Sequence, residues 1–369
     1  MKSSVRTVCA IAFTGMTLSA TQVSAQPYTF TLLGTLGGTH SDAYAISNTG
    51  VIAGSASIIG NTATHATVWH GTTSTDLGTL GGTNSYAIAI NDAGIVAGES
   101  YTTGNATFHA AMWNGATVTD LGTLGGTQSF VQSINSAGVV AGYSLLTPGS
   151  ATYHATVWHG TTATDLGTLG GTNSQASAIN SNGVVAGAAN TLSDAAYHAT
   201  VWNGPTTTDL GTLGGGGSYA GGINDAGVVV GSSDVMGNTA FHATVWIGMI
   251  ATDLGTLGGT YSQAVAINNS GQVVGWSYTT GNVAEHATVW NGAVATDLNS
   301  FLDPSVVSAG WVLLGANAIN DHGWIVGPAF NSNTGIHEAF LLIPVLEPET
   351  CTLVLLGLGL LALRRRQTL

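Results

Sequence analysis

The chain has 369 residues, 53 of them Gly, with only 6% Asp, Glu, Lys and Arg and a formal net charge of −13. A typical soluble domain carries about 25% charged residues, yet the 44% hydrophobic share still supplies a core and excludes disorder driven by charge. The five basic residues are Lys2, Arg6, Arg364, Arg365 and Arg366; the span between lacks Lys and Arg, which excludes phosphate-driven nucleic-acid binding, a Walker or Schiff-base lysine and an arginine clamp.

At the start of the chain, Lys2 and Arg6 lead into a short apolar stretch over 8–18, and Val23-Ser24-Ala25 places small residues before Gln26. That order predicts a secretory signal over residues 1–25. Cys9 and Cys351 both fall in the end segments, so the body over 26–345 has no cysteine. Disulfides, thiolate metal sites and cysteine catalysis are excluded there. The 11 histidines are the body's only side chains that can turn positive near neutral pH.

The body is one unit written again and again. Leu-Gly-Thr-Leu-Gly-Gly begins at Leu33, Leu77, Leu121, Leu166, Leu210 and Leu254, with a degraded copy at Leu298. A second marker, Ile-Asn-x-x-Gly-x-x-x-Gly in loose form, begins at Ile46, Ile90, Ile134, Ile179, Ile223, Ile267 and Ile319. The third, His-Ala-Thr-Val-Trp or a close variant, starts at His65, His109, His154, His198, His242 and His286, and ends as His337-Glu338-Ala339-Phe340. A spacing of 44 or 45 residues, filled with short strands and turns, is the size of one four-stranded propeller blade. The predicted fold is therefore all-β, a seven-bladed β-propeller, with an open β-solenoid as the alternative.

Turn chemistry places the strands. His-Ala-Thr-Val-Trp and Thr-Asp-Leu-Gly-Thr-Leu read as a hairpin around Asn114-Gly115, Asn203-Gly204, Asn291-Gly292 and their equivalents His70-Gly71, His159-Gly160 and Ile247-Gly248. A turn centred on residues 70 and 71 sets Trp69 opposite Thr72, Thr67 opposite Ser74 and His65 opposite Asp76. The same rule pairs His109 with Asp120, His154 with Asp165, His198 with Asp209, His242 with Asp253 and His286 with Asp297. Pro205 follows one such turn and predicts a distorted hairpin. Asn91-Asp92-Ala93-Gly94 and its equivalents predict a type I turn followed by a left-handed Gly. The body opens on half a hairpin over 28–36 and closes on its other half over 337–343, so pairing those two removes both free edges. Leu32 then takes the Asp position, and His337 is expected to lack an Asp partner.

The motifs quoted above resemble the bacterial HAF-type extracellular repeat family over about residues 28–343. The resemblance implies an exported repeat protein and carries over no catalytic residue. The C-terminal segment over 346–369 holds Glu347-Pro348-Glu349-Thr350, an apolar stretch over 351–363 and the Arg364-Arg365-Arg366 cluster. It resembles the PEP-CTERM sorting signal of Gram-negative bacteria, with Leu346 where that pattern has its first Pro. This implies handling by an exosortase-type machinery, transient membrane contact through 351–363, a cell-surface or extracellular location, and an exopolysaccharide setting.

Six near-identical His–Asp pairs at one position read as a blade-building device rather than as metal ligands or proton-transfer dyads. No nucleophile elbow is present, and the Gly-Thr-Leu-Gly-Gly turns lack the Lys of a phosphate loop. Asn91-Asp92 and Asn224-Asp225 have Ser136, Ser181 and Asn269 at equivalent places, which favours turn chemistry over calcium. Trp69, Trp113, Trp158, Trp202, Trp246 and Trp290 read as packing between blades, with sugar-stacking platforms as the alternative. The irregular last unit singles out Asp303, Trp311, His322 and Trp324 as a binding patch. The expected function is a non-enzymatic scaffold or binding module for extracellular polysaccharide or matrix, without cofactor or metal. The alternative is a secreted polysaccharide hydrolase or lyase using Asp303 or Asp321.

Overall fold

The computed structural model describes residues 28–345; the predicted signal and sorting segments lie outside them. The described chain is all-β and repeats one four-stranded antiparallel sheet. The sheet built from Gly81–Ile90, Val96–Thr102, Phe108–Asn114 and Thr117–Asp120 is representative, its strands adjacent in chain order. Equivalent sheets run consecutively from Gly37 to Asp297. The last group draws on both ends of the body: Trp311–Leu313 and Ala318–Ile319 pair with Ile325–Asn331, which pairs with His337–Pro344, which pairs with Tyr28–Leu32. Its strand pairing with the first sheet is the single parallel pair His40 and His337.

Close backbone packing explains the second Gly of the Ile-Asn marker. Strand Gly81–Ile90 bulges between Ala87 and Ala89, and a Cβ on Gly98 would overlap the Tyr86 carbonyl oxygen. Gly54, Gly142, Gly187, Gly231, Gly275 and Gly327 meet the same obstruction. Gly98→Ala is expected to lower stability by about 1–3 kcal/mol, measured by denaturant unfolding.

Few charges are needed because hydroxyls and amides do the buried polar work. Ser85 Oγ accepts from the Ala66 amide of the preceding sheet at 2.9 Å and donates to the Gly78 carbonyl at 2.7 Å. Ser129, Ser174, Ser218 and Ser262 repeat both bonds. In this series the Ala339 amide of the last group donates to Ser41 of the first sheet at 3.1 Å. Among the described residues, no helix is long and apolar enough to cross a membrane.

Three sequence expectations are corrected. The hairpin loop is Gly71-Thr72, so Thr67 faces Asp76 and Trp69 faces Ser74, two residues away from the expected register. Gly71 has φ +61° while Thr72 is not left-handed, which is the Gly-x arrangement of a type II′ turn. In such a turn the second loop residue needs no N–H, so Pro205 leaves Asn203 facing Thr206 as in every other copy. The Asp-bearing strands are also shorter than expected: they end at Asp76 in the first sheet, and the opening strand ends at Leu32.

Candidate functional site

Despite the shifted register, all six His–Asp pairs form, now diagonally across the hairpin. His65 Nδ1 lies 2.8 Å from Asp76, and the other five pairs bond at 2.7–2.8 Å. The second carboxylate oxygen of Asp76 accepts from the Gly78 amide at 2.7 Å, and the other five aspartates repeat this bond two residues on. Each Asp therefore ties its own loop to the His of the neighbouring strand. In the last group the expected equivalence is off by one. Phe340 faces Leu32 as Thr67 faces Asp76, so Glu338 rather than His337 stands at the His position. Its longer arm caps the Gly34 amide directly at 2.9 Å, doing from across the hairpin what the missing Asp does elsewhere. His337 instead lies against Phe330, with ring centroids 4.8 Å apart.

The six repeated tryptophans are 0–2% exposed, and none of their indole N–H groups meets an acceptor. They pack between sheets and cannot stack on sugar, so the platform alternative is overturned.

The four residues of the irregular last unit do not gather into one patch. Asp303 caps the short helix Pro304–Ser308, accepting from the Ser305 amide at 2.8 Å and hydroxyl at 2.6 Å; these bonds hold its carboxyl below the usual range. Trp311 packs on the core beside Asn331. His322 and Trp324 sit at the other end of strand Ile325–Asn331, rings 6.5 Å apart. A strand of that length separates its ends by roughly 20 Å.

The Asn turns do converge. Asn91 accepts from the Ala93 and Ile95 amides through Oδ1 while its Nδ2 donates to the Asn135 carbonyl. Asn135, Asn180, Asn224 and Asn268 each donate onward to the next turn, and Asn320 donates to Ser47 of the first, all at 3.0–3.4 Å. Beside them Asp321 accepts from the Asn269 amide at 2.8 Å and from Asn48 Nδ2 at 3.1 Å. These turns enclose a cavity of about 240 Å³. Its carboxylates are consumed by the turns themselves, and among the described residues no group of three His, Cys, Asp or Glu side chains is placed to hold a metal ion.

A second face carries what the repeat does not share. In strand Val96–Thr102, Glu99 and Tyr101 flank the buried Ser100 and so point to the opposite side. Tyr86 faces Glu99 and Phe108 faces Tyr101, giving one half-buried cluster. It continues across the sheet boundary through Phe108–Phe130 (5.8 Å), Phe130–Tyr143 (4.7 Å) and Tyr143–Tyr153 (5.3 Å). A second run joins Phe241, Tyr261, Trp276 and Tyr278 at 4.9–6.1 Å. Burial pushes the Glu99 carboxyl up to about 8, the Val131 amide pulling it partly back. Tyr143 rises to about 12, through burial first and then the nearby Glu99.

In the first sheet, His40 Nε2 meets Asp42 at 2.8 Å, and the Tyr44 hydroxyl lies 3.5 Å from the same carboxylate and 3.4 Å from Ser55 Oγ. Burial, with Asp42 second, pushes Tyr44 up to about 12. Tyr44 lines a cavity of about 490 Å³ shared with Gln132, Ser177, Tyr219 and Asn317 of other units. The Asp42 carboxylate is thus shared by His40 and the Tyr44 hydroxyl. A further pocket of about 420 Å³ opens beside Gly217, between Tyr197, Tyr219 and Phe241.

Glu99, Asp42 and Gly217 were missed by reading what recurs. The signal was in what departs: the residues at the Glu99 position of other sheets are Ser55, Tyr143, Ala188, Ser232 and Trp276. No family model and no curated protein matches this chain.

Proposed function

We propose that the chain is an exported seven-bladed β-propeller that binds extracellular polysaccharide through its aromatic face and performs no chemistry on it. Three links between the last group and the first sheet or opening strand support closure: the pairing of Tyr28–Leu32 with His337–Pro344, Ala339 to Ser41, and Asn320 to Ser47. An open solenoid would leave its two ends apart. The repeat motifs support membership of the HAF-type extracellular family, and the terminal segments support export and exosortase-type handling at a Gram-negative cell surface.

The observation that carries the binding reading is the crowd of half-buried rings on one face, interleaved with amides and carboxyls. Such surfaces suit the apolar faces and hydroxyl edges of sugars. The hydrolase alternative is weakened because Asp303 and Asp321 are held by cap and turn hydrogen bonds. Screening the purified full chain on a glycan array, with a parallel assay for reducing-sugar release, is expected to give binding without turnover. Release of sugar that Asp321→Asn abolishes would reverse the assignment. Export is checked separately: expression in a Gram-negative host should yield a chain beginning at Gln26.

A further inference from the structure

Resting on that reading, we infer that the pocket beside Gly217 is a glycan subsite that takes a neutral or amino pyranose and rejects acidic sugars. Elsewhere this position carries His40, Asn84, Gln128, Asn173 or Tyr261. Asn84 accepts from the Thr64 amide at 2.9 Å and Asn173 from the Tyr153 amide at 3.0 Å, each filling the gap between two sheets. Gly217 has no side chain to do so, and the gap becomes a cavity of about 420 Å³, within the size range of small-molecule sites.

The walls divide by chemistry. Tyr197, Tyr219 and Phe241 supply ring surface, while Asp234 and Gln263 supply polar atoms. Every other described aspartate is hydrogen-bonded inside the protein through its carboxylate. Asp234 is not, and the Gln263 amide likewise has no partner among the described residues. A carboxylate and an amide left free beside aromatic walls are matched to hydroxyl or ammonium donors on a ring-shaped ligand. Acidic sugars are excluded by charge. No Lys or Arg lies between Arg6 and Arg364, and the neighbouring His198 and His242 are held by Asp209 and Asp253. A uronate would bring a second negative charge to Asp234 with nothing to balance it.

The test measures binding of the full chain to a glucose tetramer, a glucosamine tetramer and a glucuronate-containing tetramer. The first two should bind, the glucosamine form more tightly, and the third at least tenfold more weakly. Gly217→Asn restores a residue that two other sheets use here and should reduce binding of both ligands at least tenfold while keeping the melting temperature. Ser232→Trp, which copies the residue of the next sheet at this register, should do the same by filling the pocket from the other side. Asp234→Asn should abolish the preference for glucosamine and leave the glucose tetramer bound. If both pocket-filling variants bind as tightly as the parent, or if glucuronate competes equally, the subsite is refuted even though polysaccharide binding stands. If no glycan of any class binds the parent chain, the wider functional reading fails with it.

Discussion

A chain that starts at Leu33 is expected to lose its single cooperative thermal transition and to run as oligomers on size-exclusion chromatography. All five residues of Tyr28–Leu32 pair with the strand His337–Pro344. Phe30 lies 6.5 Å from the fully buried Phe340, and Tyr28 lies 5.5 Å from Phe301. Removing Tyr28, Phe30 and Leu32, each partly buried against the core, forfeits roughly 1 kcal/mol or more each, and the backbone groups they paired are left open. The sum is on the order of 5 kcal/mol, comparable with the whole stability of many domains. The cost should not be only thermodynamic: the newly bare strand is hydrophobic on its buried side and becomes a template for another copy of the chain. A peptide of residues 28–34 added in trans should restore the monomer by completing the sheet. If the shortened chain melts at the same temperature as the parent and remains monomeric, the two ends do not close a ring, and the propeller reading falls.

Repetition made the strands and their partners legible, because a turn that needs a left-handed residue must spell Gly in every copy. Gly94, with φ +78°, and its equivalents were placed this way. The hairpin register was not, because Asn-Gly fits a type I′ turn with Gly second and equally begins a type II′ turn with Gly first. The copy that decides between them is Ile247-Gly248: a type I′ turn would force a β-branched residue to positive φ, which Ile strongly resists. Pro205 points the same way, since it fits only the second loop position. The His–Asp bonds survived the two-residue error because a shift of two keeps a side chain on its own face. A shift of one does not, and that is why His337 was mistaken for the residue that Glu338 replaces. The aromatic face stayed hidden for a different reason: its rings come from different strands in different sheets, so no single repeat spells it.

Glu99→Gln is expected to stabilise the protein at pH 8 by about 2–4 kcal/mol and to change it little at pH 4. Below the ordinary carboxylate range the side chain is protonated in both folded and unfolded chains, and its burial costs nothing ionic. As pH rises through that range the unfolded chain releases the proton while the folded chain, whose carboxyl is held up to about 8, keeps it. Each pH unit in this window opposes folding by up to about 1.4 kcal/mol, until the folded group also ionises and the penalty levels off. Partial exposure of Glu99 trims the total below the full window. Burial raises Glu285 and Glu338 as well, so the variant should keep a shallower slope of the same sign. Urea unfolding from pH 4 to 9 measures it; equal slopes for parent and variant would show that Glu99 is not the group responsible. A carboxyl that costs stability at neutral pH occupies a position where other sheets do well with Ser, Ala, Tyr or Trp. Its neighbours Tyr86, Phe108, Phe130 and Tyr143 keep it mostly protonated at pH 7, where a neutral carboxyl can donate a hydrogen bond that a carboxylate cannot. The position is thus better explained by what the aromatic face presents to a ligand than by what the fold requires.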